Sequence, residues 1–101
     1  MHITFTDTTI KVPIGYELIL HACNAALLRA AVGKGRNRHA EYDNQPLSDQ
    51  QIYRFSQGWR LDQIQKKAAE IPRLKSRDRA NEVLDIIVLA AVEWAKLEGL
   101  K

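Results

Sequence analysis

Apolar residues recur along this chain with two different periods, and the change of period divides it. From Ile3 to Val12 the residues Ile3, Phe5, Ile10 and Val12 alternate with polar neighbours on either side of Asp7-Thr8-Thr9, the period of two short strands. The pattern predicts a β-hairpin that Pro13 closes. A lone hairpin is marginal in water, so this one is expected to lie on helices or to pair with another chain. Tyr16 to Val32 is apolar over most of its circumference, with Glu17, His21 and Asn24 as one narrow polar stripe, and predicts a central helix. Five alanines from position 22 to position 31 let neighbouring helices approach closely, and Gly33 is the expected left-handed stop.

Residues 34 to 46, rich in Gly, Asn and charge, read as the longest loop. In Leu47-Ser48-Asp49-Gln50-Gln51-Ile52, Ser48 is the expected N-cap, Gln51 completes a capping box and Leu47 is stapled to Ile52. The pattern Ile52, Phe55, Trp59, Ile64, Ala68 and Ile71 is helical but slips near Gly58, which either kinks one helix or divides it. Pro72 ends that element. Ser76 is the expected N-cap of a last helix running through Val83, Ile87, Ala90, Ala91, Trp94 and Leu97 to Gly99, with Leu100 placed for a Schellman contact. The expected fold is mainly α: one domain over residues 1–101, a compact bundle of three or four helices with a short N-terminal β-hairpin. The helices at 16–32 and 83–97 should pack on each other as its core, with Leu28 and Ile87 inside and Phe55, Trp59 and Trp94 in apolar packing.

With 101 residues, 46% of them hydrophobic, the chain can fold as one small domain and lies far from disordered composition. A single cysteine, Cys23, in an apolar stretch suggests no disulfide framework and reads as a small buried hydrophobe. The start lacks the basic and apolar blocks of a signal peptide, and neither apolar segment reaches an uninterrupted membrane span, so a cytoplasmic protein that does not enter membranes is expected. Charge shifts the emphasis to the middle of the chain. Residues 29 to 79 hold twelve Lys and Arg against six Asp and Glu, while both flanks are slightly acidic. That asymmetry favours a polyanionic partner.

Arg73, Lys75, Arg77 and Arg79 crowd the start of the last helix, where the helix dipole disfavours cations by about 0.3–1 kcal/mol each. They call for a counter-charge: a bound anion, or an intrachain pair such as Arg79 with Glu82. Lys34, Arg36 and Arg38 lie in the Gly33-to-His39 segment, which lacks the Gly-Lys-Ser/Thr ending and preceding strand of a P-loop but can touch phosphates through its cations and amides. Tyr42, in the polar loop beyond, is the aromatic best placed to stack on a base. These eight residues form the expected ligand-binding set, for nucleic acid or, second, a small nucleotide. No catalytic or metal motif accompanies them: His21 and Cys23 point to different helix faces, His21 is expected to pair with Glu17 or pack at the core edge, and Glu41 and Asp43 beside His39 have no nucleophile motif. A non-enzymatic protein without a cofactor is expected, and a small hydrolase of unrecognised geometry is the last alternative.

The short hairpin start, Ser48-Asp49-Gln50-Gln51, and the basic junction Pro72-Arg73-Leu74-Lys75-Ser76-Arg77 before an apolar helix together resemble small phage or prophage accessory proteins of the counter-defence, anti-CRISPR-like type. The resemblance is one of general build along the whole chain and assigns no residue a role. It implies a competing expectation, an inhibitor or adaptor that binds and blocks a partner protein.

Overall fold

A computed structural model describes residues 2–4, 9–32 and 40–100 of the chain. Strands β1 (His2–Thr4) and β2 (Thr9–Lys11) pair antiparallel with Ile3 opposite Ile10. Helix α1 spans Glu17–Ala31, α2 is the single turn Gln51–Arg54, α3 spans Gln57–Glu70 and α4 spans Ser76–Leu97. One-turn 3₁₀ segments at Leu47–Asp49 and Ile71–Arg73 lead into α2 and out of α3. The fold is mainly helical, as expected, and the hairpin is present. All three residues of β2 are exposed, so the helices do not cover it.

The α4 helix is the hub, against which α1, α2 and α3 all pack. Its antiparallel course beside α3 is fixed at both ends by ion pairs, Arg60 to Glu93 and Lys67 to Glu82, each 2.7 Å. The α1 helix presents Ala22, Ala25, Ala26 and Arg29 on its inner side, where small side chains permit close approach; Ala26 is buried. At its far end α4 stops in a Schellman motif: Leu100 N donates to Ala95 O and Gly99 N to Lys96 O. Gly99 takes φ +70°, a conformation that strains side chains with a Cβ.

Several local expectations are corrected. Ser48 does not cap a helix: Gln50 is extended, and its side chain donates to the Gln45 carbonyl while Gln45 Nε2 donates to Asp49 O. Those bonds use the would-be first turn as a separate 3₁₀ segment. The following helix is divided at Phe55–Ser56, ahead of Gly58, because Ser56 Oγ accepts from Trp59 N and starts α3 afresh. Ser76 is the first residue of α4 and Lys75 holds the cap position, without a side-chain cap bond.

The expected core is also turned. Buried apolar residues are Ala26, Ile52, Leu89 and Val92, whereas Leu28 is 63% exposed and Trp94 59%. The stripe Val83, Ile87, Ala90, Ala91, Trp94, Leu97 faces outward except for half-buried Ile87. What α4 turns inward instead includes Asp85 and Glu93, made tolerable by cations from α1 and α3. Phe55 remains partly exposed and meets half-buried Trp59 edge-to-face, with ring centroids 4.7 Å apart. His21 and Cys23 are exposed, and Glu17 accepts from Gly15 N instead of pairing with His21.

Candidate functional site

The basic junction between α3 and α4 is built from a 3₁₀ turn that leaves its carbonyls pointing outward at the C-terminal side. Arg79 supplies the missing donors: Nε donates to Leu74 O at 2.6 Å and Nη2 to Pro72 O at 2.9 Å. Its anticipated partner Glu82 is taken by Lys67. Arg79 therefore clamps the junction, and its counter-charge is the partial negative charge of two carbonyls. Arg73, Lys75 and Arg77 stand exposed around the same turn, beside an α4 N-terminus with no side-chain cap. Tyr42 is 57% exposed in its own turn, where Gln45 N donates to Tyr42 O and Asn44 takes φ 61°. Lys34, Arg36 and Arg38 lie outside the described residues.

Behind the junction a cleft of about 350 Å³ opens between α3 and α4, with Arg29 of α1 reaching its wall. Asp85 is the pivot. It accepts from Arg29 Nε at 2.6 Å and Nη2 at 3.3 Å, and lies 3.7 Å from Lys67 Nζ, which donates to Glu82 at 2.7 Å. The hydrogen bonds to Asp85 hold the Arg29 guanidinium pKa above its ordinary value. Arg29, Lys67, Glu82 and Asp85 thus neutralise one another inside the cleft, which Lys66, Glu70 and Asp78 also line, and no buried side-chain polar atom among the described residues lacks a partner. The network joins three helices; it does not present a free group to a substrate.

A second polar network closes the other end. The Arg60 side chain, 2% exposed, donates through Nε to Glu93 Oε1 at 2.7 Å and through Nη1 to the carbonyls of Tyr53 and Phe55, while Gln57 donates to Glu93 Oε2 at 2.8 Å. Hydrogen bonds from Arg60 and Gln57 hold the Glu93 carboxyl below its ordinary pKa. The sequence did carry a signal for both networks. Arg29, Asp85 and Glu93 are among the charges that interrupt the two apolar runs, and a charge inside a core-facing run demands a partner.

The remaining surface is unusual for its apolar content. Along α1, Leu18, Ile19, Leu27, Leu28 and Val32 are each 63–70% exposed, Leu27 and Leu28 on its outward sides and Leu18, Ile19 and Val32 at the two ends of the inward alanine stripe. Among the described residues no group of three or more His, Cys, Asp or Glu is placed to hold a metal ion, and no helix is long and apolar enough to cross a membrane. Compared with protein-family models, curated proteins and solved structures, the chain matches none.

Proposed function

We propose that the chain is a non-enzymatic protein-binding module, an adaptor or inhibitor that occupies a partner protein through uncovered apolar helical surface. The observation that carries this reading is the exposure of Leu18, Ile19, Leu27, Leu28 and Val32 on one helix. So many large apolar side chains left uncovered on one helix of a small protein favour an interaction surface over isolated exposed residues. The test is affinity capture from source cells with wild type and an Ile19→Glu, Leu27→Glu variant whose circular dichroism matches wild type. A partner held by wild type and lost by the variant is the expected result; equal capture by both removes α1 from the function.

A second reading, binding of nucleic acid or a small nucleotide, is favoured by exposed Arg73, Lys75 and Arg77 beside the uncapped start of α4. Phosphate binding by several cations weakens steeply with salt. Titration of single-stranded and duplex nucleic acid at two salt concentrations checks it, with binding that is absent or indifferent to salt counting against it.

A further inference from the structure

Helix α4 carries on its outward side a stripe with the spacing of a coiled-coil seam: Ala80, Val83, Ile87, Ala90, Trp94 and Leu97, separated alternately by three and four residues. Only Ile87 among them is half-buried; Trp94 is 59% and Leu97 71% exposed. The stripe lies on the side of α4 away from Leu89, Val92 and Glu93, which α4 buries within its own chain. We infer that this seam is a self-association surface on which a second copy of the chain packs, α4 against α4, antiparallel about a two-fold axis. The inference rests on the reading of the chain as a protein-binding module and names one of its partners.

Self-complementarity carries the choice of occupant. In an antiparallel pair centred between Ile87 and Ala90, Trp94 of one copy faces Val83 of the other, Ile87 faces Ala90, and Leu97 faces Ala80. Each layer sets a larger side chain against a smaller one, which keeps the helix separation even along the seam. The same register brings exposed Arg77, beside the seam at its start, against exposed Glu98, beside it at its end. A two-fold axis makes that pair twice. A parallel pair would instead set Trp94 on Trp94 in one layer and Ala80 and Ala90 on themselves in others, so the helix separation could not stay even along the seam. Arg77, a cation in a first turn whose one acid, Asp78, stands between it and Arg79, thereby gains a further counter-charge from the second copy.

The experiment is sedimentation velocity on the full chain over about a hundredfold range of concentration, across which a reversible dimer shifts by mass action. Wild type is expected to move from monomer to dimer. Ala90→Arg, which alters an exposed position with a good helix former, is expected to stay monomeric with unchanged circular dichroism. Arg77→Glu or Glu98→Arg alone should each weaken the dimer by about tenfold, and the two together should restore it. A wild type that stays monomeric throughout overturns the inference, as does a dimer insensitive to Ala90→Arg, or single reversals that the double variant fails to rescue. Because these positions lie on α4, the outcome is separable from loss of a partner through the α1 variant, which should still dimerise.

Discussion

Replacing Arg60 with methionine should be the most damaging single change in the α2–α3 region, and the structure says why. Methionine keeps an unbranched, helix-favouring side chain, so packing and propensity change little while every polar contact is lost. The Tyr53 and Phe55 carbonyls then lose the guanidinium that donates to them at the break between α2 and α3. A buried acceptor left without a partner costs about 1–3 kcal/mol, and because both carbonyls are partly buried the lower half of that range applies to each, about 2–4 kcal/mol for the two. In a domain of ~100 residues this lowers the melting temperature by roughly 10–25 °C. The assay is a urea melt followed by circular dichroism at one fixed protein concentration, so that self-association does not enter the comparison. The midpoint should fall with little change in slope. A second variant, Arg60→Met with Glu93→Leu, removes the stranded carboxylate as well and should recover part of the loss. An Arg60→Met protein within about 1 kcal/mol of wild type would refute the reasoning, since the penalty for unsatisfied groups would then be absent.

Other outcomes follow from the same contacts. Because the Glu93 carboxyl is held below its unfolded value of 4.5, its contribution is complete above that pH and is lost as pH falls through the lower folded value; Glu93→Gln should flatten the acid limb of the stability profile below about pH 4.5. Leu89→Ala, at a residue 3% exposed, should cost about 2–5 kcal/mol, whereas Leu28→Ala, 63% exposed, should stay within about 0.5 kcal/mol in the monomer; equal losses in urea melts would place the core wrongly. Arg79→Ala should lower stability by about 0.5–1.5 kcal/mol through its two carbonyl bonds, while Arg73→Ala leaves the melt unchanged, so a reversed order would deny Arg79 its clamping role.

The helices themselves were legible where the signal was local. The apolar run from 16 to 32 gave α1 nearly to the residue, and Gly99 with Leu100 marked the end of α4 because the left-handed stop needs only its own neighbours. What escaped was decided at a distance. Ser48 has the better capping sequence, yet Ser56 caps, because the Gln45 and Arg60 side chains donate to the Asp49 and Phe55 carbonyls between them and the Gln50 side chain ties back to the Gln45 carbonyl. The orientation of α4 failed for a related reason. Its most apolar stripe looks like a core face, but Asp85 and Glu93 go inward because Arg29, Lys67 and Arg60 arrive from other helices to meet them. Of the basic residues at the junction, only Arg79 could be assigned an internal role, and the carbonyls it binds have no side-chain signature.

The brevity of α2 has a consequence for the order in which the chain folds. Four residues cannot sustain a helix by themselves, since nucleation costs more than a single turn returns. The α3–α4 hairpin, joined by a short connection and rich in contacts close in sequence, can form early. Only once it exists does Glu93 hold the Arg60 guanidinium in place to donate to the Tyr53 and Phe55 carbonyls while Ile52 is buried. In refolding followed by pulsed hydrogen exchange, amide protection should therefore reach α3 and α4 first and α2 afterwards, and Ile52→Val should speed unfolding while leaving the folding rate nearly unchanged.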